Sequence, residues 1–290
     1  MVAYLQRLGV RTAAVGSVMC LGLDPDPEQL PPGFPAGLAG VERLCGLLLE
    51  AAGPYAAAVK PNLAFFEAFG AAGLAALERI RAAVPAGLPV VADAKRGDIG
   101  STARRQATAL FDVLGADAIT ASPYVGAEGL APFLDRTDRY TYVLCRTSNP
   151  GSDELQGLLV GDAPGQPAEP LYERVARCVA GWGPGGTVGL VAGATAPLEL
   201  ARIRSVAPAL GLLVPGVGAQ GGEVGPVLVH GPATAAPGNA WPGGGLLVNV
   251  SRGIARAAIE RAAGEPADPG ERIAAAARNW STTLAMPVLS

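Results

Sequence analysis

The chain has 290 residues, half of them hydrophobic, a net charge of −3 and a single histidine. That length and apolar content suit one large core, and the whole chain, residues 1–290, is expected to form a single domain. The scattered charge shows no basic stripe for nucleic acid and no polybasic or amphipathic stretch for a membrane surface, and no run of about 18 apolar residues reads as a membrane span. Cys20, Cys45, Cys145 and Cys178 lie far apart and, with His230 alone, make no zinc pattern. They read as small core residues in a reducing cytoplasm.

In chain order, residues 2–14 read as a helix, with Arg7 and Arg11 interrupting any apolar core that a signal peptide would need. Residues 17–24 (SVMCLGLD) form the first strand, followed by a proline-rich loop and a helix over 41–52. The second strand is 56–60, held extended at Lys60 by Pro61. A long helix over 65–83 carries Phe66, Phe69, Leu74 and Leu77 near helical spacing. The third strand, 89–95, leads into a helix over 101–114 with Ser101 or Thr102 as its cap. A fourth strand at 118–122, a helical turn at 129–134 and a fifth strand at 140–146 follow. Residues 152–169 show little pattern. A helix over 171–181, a sixth strand at 187–192, a helix over 197–206 and a seventh strand at 212–215 come next. The Gly/Pro-rich stretch 221–244 is long enough to be a functional loop. The eighth strand, 246–250, is followed by helices over 254–263 and 273–284.

Eight strands alternating with helices imply parallel pairing. Eight repeats in this length suit a closed (β/α)8 TIM barrel with an extra N-terminal helix, with the functional site at the C-terminal strand ends. An open doubly wound sheet is the alternative, but the first strand ends in LDPDP rather than a glycine fingerprint.

The chemistry concentrates in VVADAKRGDIGST, residues 90–102. On a strand, Asp93 and Lys95 share one face, while Ala92 and Ala94 share the other. Burying charge there is costly unless it is paired. Asp98 lies past the strand, so it reaches that pair only from the loop or else serves another site. Of the 22 basic residues only Lys60 and Lys95 are lysines, each closing an apolar run. Lysine gives up a proton where arginine does not, so these two positions point to an ammonium that acts as an acid. A structural salt bridge is the plainer reading of Lys60 alone. In a barrel, the second and third strands are neighbours, placing Lys60 beside Asp93 and Lys95. Asp24, Ser148, Gln220 and Arg252 join them at the mouth. Glycine-rich loops after the seventh and eighth strands, with Arg252 as a clamp, suit a phosphate. The barrel alone therefore predicts a phosphorylated small molecule at one end and Lys/Asp acid chemistry at the other.

At these residues the chain resembles the orotidine 5′-phosphate decarboxylase family, in its longer bacterial form. The resemblance rests on CLGLDPD at 20–26, AVKPN at 58–62, DAKRGDIGST at 93–102, TSNPG at 147–151, PGVGAQGG at 215–222 and SRGI at 251–254. It implies a decarboxylase that makes UMP, the last step of pyrimidine synthesis, and needs no cofactor or metal. It implies a charged tetrad of Lys60, Asp93, Lys95 and Asp98, with Asp98 supplied by the other subunit of a homodimer and Ile99 and Thr102 crossing the same interface. Asp24 and Lys60 would hold ribose hydroxyls, Ser148 the pyrimidine, Gln220 and Arg252 the phosphate, and Pro215 would line the substrate. Lys95 would protonate C6. A related sugar-phosphate decarboxylase or aldolase, and a non-catalytic nucleotide-binding barrel, are the competing expectations.

Overall fold

The computed structural model describes residues 3–161, 168–218, 220–262, 264 and 266–286. Eight strands form one all-parallel sheet: β1 (Met19–Leu23), β2 (Ala58–Pro61), β3 (Val91–Arg96), β4 (Ala118–Ala121), β5 (Tyr140–Arg146), β6 (Val188–Ala192), β7 (Gly211–Val214) and β8 (Leu247–Val250). Sequence neighbours pair along the sheet except β2 and β3, and β1 pairs with β8. The seam between β2 and β3 closes through bridges Val59–Val90 and Asn62–Asp93, with the Val59 N–H donating to Pro89 O at 2.9 Å. The sheet is thus a (β/α)8 barrel, as the alternation of elements predicts.

Strand alternation sorts the core into two shells. Cys20, Ala58, Val91, Ala118, Tyr140, Tyr142, Val191, Leu213 and Leu247 fill the barrel, while Leu21, Val59, Ala92, Ile119, Val143, Leu190, Leu212 and Val248 belong to the apolar shell under the helices. The extra helix, α1 (Tyr4–Val15), closes the N-terminal end with Tyr4, Leu5 and Leu8. Tyr4 stacks on Tyr140 with ring centroids 5.0 Å apart, and its hydroxyl lies 3.2 Å from that of Tyr142. Tyr140 needs glycine beside it: a Cβ on Gly189 or Gly211 would stand 2.8 or 2.9 Å from its hydroxyl. The Gly211 N–H donates to that hydroxyl at 3.1 Å.

Several elements depart from the sequence expectation. The helix expected over 65–83 is two, α3 (Ala64–Glu67) and α4 (Gly70–Ala83), broken where Gly70 takes φ +62°. The helix after β3, α5 (Gly100–Ala107), has no side-chain cap: Ser101 and Thr102 lie inside it, and extended Ile99 precedes it. It runs on as a π-helical stretch over Thr108–Val113. The turn expected at 129–134 is the full helix α6 (Gly126–Leu134). Within 152–169, residues 162–167 lie outside the described ones; the rest holds α7 (Asp153–Gln156) and a short antiparallel pair, Leu159–Val160 with Glu169–Pro170. Then follow α8 (Leu171–Ala180) and α9 (Pro197–Val206). The stretch 221–244 is not a plain loop but contains α10 (Val224–His230) and two 3-10 turns. The helix expected at 254–263 is a single turn, α11 (Arg252–Ala255), with a 3-10 turn after it. The last helix, α12 (Pro269–Thr283), starts earlier than Ile273 because Asp268 caps it, accepting the Glu271 N–H at 2.8 Å. The remaining helix, α2 (Leu38–Ala52), packs against α12. Cys20, Cys45 and Cys145 are buried as expected, but Cys178 is exposed.

Candidate functional site

At the C-terminal strand ends, Asp93 sits between the two lysines. Its Oδ2 accepts from Lys60 Nζ at 2.7 Å and its Oδ1 from Lys95 Nζ at 2.6 Å. Lys60 is buried at the end of β2, and the Lys95 side chain is 51% exposed at the mouth. Burial acts to raise the Asp93 carboxyl, but the two ammoniums outweigh it and hold that group well below the usual carboxylate range. Burial likewise acts to lower Lys60, and the charges of Asp93 and Asp24 overcome it, pushing the ammonium up to about 12. Asp93 is therefore an anion and Lys60 a cation throughout the physiological range.

The shared face of Asp93 and Lys95 does not arise from a regular strand. β3 pairs with β4 at Ala92–Ile119 and next at Arg96–Ala121, so two extra β3 residues are accommodated in a bulge. Lys95 takes φ +47°, the one described non-glycine residue at positive φ. Thr120, from β4, holds the bulge. Its hydroxyl accepts the N–H groups of Ala94 and Lys95 at 3.0 and 2.9 Å and donates to Asp93 Oδ1 at 2.9 Å. One donor and two acceptors are all that a hydroxyl offers, and all are used. Thr120 was absent from the expected site; a threonine within AITA reads as an ordinary strand residue, and only the facing strand reveals its task.

A cleft of about 150 Å³ opens beside this cluster, lined by Asp24, Lys60, Asp93, Pro215, Gln220 and Arg252, with Asn62, Asn249 and Ser251. Asp24 Oδ1 and Asn249 Oδ1 are buried without a hydrogen-bond partner among the described residues, two acceptors suited to hydroxyl donors. On the glycine-rich side, the Ser148 hydroxyl donates to Gln220 Oε1 at 2.6 Å, linking the loop after β5 to the loop after β7. The Arg252 side chain is exposed and has no hydrogen bond or ion pair among the described residues. A guanidinium beside backbone loops fits an oxyanion. The loop bearing Ser148 is itself anchored: the Thr147 N–H donates to Gln156 Oε1 at 2.8 Å, and buried Arg146 donates to Ser152 and to Asp153.

Three expected residues stand apart. Asp98 does not reach Asp93 or either lysine; its Oδ1 accepts the N–H of Ile99 at 2.8 Å. Ile99 is 61% exposed and Thr102 is exposed. Tyr124, in the turn after the neighbouring strand β4, is 96% exposed.

Comparison with known proteins bears on this geometry. Residues 17–267 match the orotidine 5′-phosphate decarboxylase / HUMPS family. A relative named orotidine 5′-phosphate decarboxylase, from Herpetosiphon aurantiacus, is 44% identical over 87% of this chain and 88% of its own length. The solved OMP decarboxylase of Leishmania donovani is 44% identical with a TM-score of 0.79, the match covering 98% of both chains. The UMP synthase of the same organism is 45% identical with a TM-score of 0.81; the match covers 98% of this chain but spans only 56% of that one.

Proposed function

The chain belongs to the orotidine 5′-phosphate decarboxylase / HUMPS family, and we propose that it converts orotidine 5′-phosphate to UMP and CO2, the last step of UMP biosynthesis. The observation that carries this reading is Asp93 held between Lys60 and Lys95 at the edge of the cleft.

In this reading Asp24 and Lys60 hold the ribose hydroxyls, Ser148 meets the pyrimidine, Pro215 lines the cleft, and Gln220 and Arg252 take the phosphate. The bond from C6 to the carboxylate breaks, its electron pair stays on C6 and CO2 departs. A proton from Lys95 Nζ then forms the C6–H bond, and the neutral amine regains a proton from solvent. Asp93 repels the substrate carboxylate: two unit charges about 4 Å apart interact by roughly 4 kcal/mol at an effective dielectric of 20. That is too little for a carbanion without a resonance sink. Stabilisation of the developing charge by Lys95, and binding energy drawn from the phosphate, carry the remainder. Each of these groups is a side chain, so the reading asks for no cofactor.

We also propose a homodimer with shared sites. Asp98 bonds its own loop rather than the lysines, and exposed Ile99, Thr102 and Tyr124 suit a subunit contact that would bring Asp98 to the partner's lysine. Four unpaired cysteines suit a cytoplasmic location.

The test is incubation of purified protein with orotidine 5′-phosphate in EDTA, with UMP detected by chromatography. UMP formation is expected; a folded protein that yields none overturns the assignment. Mixing Lys95→Ala with Asp98→Asn protein tests the sharing. In a symmetric dimer, hybrids keep one intact site and should restore up to about a quarter of native activity. No restoration contradicts the shared site.

A further inference from the structure

The glycine-rich side of the cleft packs against a tryptophan of the last helix. Trp280 lies near the end of α12, whose C-terminus is tied to the start of β1: the Val18 N–H donates to Leu284 O at 3.2 Å, and Ser17 bridges Ala285. The helix therefore descends the outside of the barrel. Long side chains on a helix lean toward its N-terminus, so Trp280 leans up toward the mouth. There its ring lies against two glycines from different loops. A Cβ on Gly218, after β7, would stand 2.9 Å from the ring, and one on Gly253, after β8, would stand 2.9 Å from Nε1. The indole N–H donates to Gly253 O at 3.3 Å. Gly253 adjoins Arg252, and Gly218 is two residues from Gln220.

The base of this support is itself fixed. Buried Arg272, on α12, donates to the carbonyls of Ala257, Ala258, Pro266 and Ala267. Arg272 thereby ties the turn at Ala257 and Ala258 to the residues just before α12. Glycine at 218 and 253 is what admits a tryptophan this close, so loops and ring are matched to each other.

We infer that Trp280 is a positioning residue for phosphate recognition: it joins the loops after β7 and β8 and sets Gln220 and Arg252 relative to each other. The inference rests on the proposed phosphate role of those two side chains. Trp280 does not line the cleft, so it acts on binding of the phosphorylated ligand and not on the reacting carbon.

The test compares UMP with uridine, which lacks the phosphate, as ligands of wild type, Trp280→Ala and Trp280→Phe. In Trp280→Ala the UMP dissociation constant should rise about tenfold or more, the scale of losses from small misplacements, while uridine binding stays within about twofold. KM for orotidine 5′-phosphate should rise with it, and kcat should change less. Trp280→Phe keeps an aromatic ring and loses the N–H, so it should recover much of the affinity; it also carries the test if the alanine variant does not fold. Addition of UMP, but not uridine, should change tryptophan emission in wild type and not in Trp280→Phe. Unchanged UMP affinity in both variants, or equal loss for UMP and uridine, overturns the inference. A wild-type protein that neither turns over orotidine 5′-phosphate nor binds UMP instead overturns the functional reading beneath it.

Discussion

The two ends of the barrel solve the same packing problem with opposite chemistry. At the N-terminal end the interior is filled by Tyr4, Tyr140 and Tyr142, and burial raises all three phenols, keeping them neutral. At the C-terminal end the filling is ionic: Lys60, Asp93 and Lys95, with Thr120 completing the bonds of Asp93. An apolar plug contributes stability through buried area. A buried ion cluster adds little net stability against an apolar alternative, yet is costly to break. A barrel built for stability alone would repeat the plug at both ends; the charge marks the end where chemistry is done.

Substitutions should separate the two ends. The largest effect belongs to Lys95→Ala, which should lower turnover by about 10⁴-fold or more, the upper range for loss of a general acid. Its side chain is half exposed, so Tm should hardly move. Asp93→Asn should damage both properties. It leaves buried Lys60 without its bonded countercharge, at a cost of about 3–5 kcal/mol. The sign with pH follows from the lowered Asp93 carboxyl. Its stabilisation is fully present above the unfolded aspartate pKa of about 3.9 and is lost as pH falls through the lower folded value. The Tm gap between wild type and Asp93→Asn should therefore be level through the neutral range and narrow in acid; a gap that widens in acid contradicts the pairing. Thr120→Val comes next. It strands the N–H groups of Ala94 and Lys95, costing about 1–3 kcal/mol for each unsatisfied donor, and lowers kcat by loosening Lys95. Thr120→Ser, which keeps the hydroxyl, should restore both. Tyr4→Ala should have the smallest effect on turnover. Emptying the plug should cost about 3–5 kcal/mol by denaturant titration, as for other large aromatic truncations, with kcat and KM within about twofold. Loss of activity in a folded Tyr4→Ala protein would join the two ends that this comparison separates.

The barrel was legible because its strands are short apolar runs ended by glycine, proline or charge, and their alternation with helices is local information. Lys60 and Asp93 were legible as charges at the ends of buried strands. The bulge at Lys95 was not, since a register shift exists only between two strands, and Thr120 hid in plain strand composition for the same reason. α10 was missed because glycine and proline flank and interrupt VGPVLVH, while its one buried side chain, Val227, gains its contact only in the folded barrel. Ser101 and Thr102 looked like caps, but the chain turns one residue earlier, at Gly100 with φ +55°. The misfit of Asp98 with its own strand was legible, and the structure keeps it away from its own lysines. The contact that ties the loops after β7 and β8 was out of reach: Trp280 meets Gly218 and Gly253 only through tertiary folding.

The most direct measurement is decarboxylation of orotidine 5′-phosphate in D2O by wild type and by Lys95→Ala, with proton NMR of position C6 in the product. Wild type should give UMP carrying deuterium at C6, delivered from the exchanged Lys95 ammonium, and the variant should give no measurable UMP while remaining folded. Comparable UMP formation by Lys95→Ala would contradict the assignment of Lys95 as the acid.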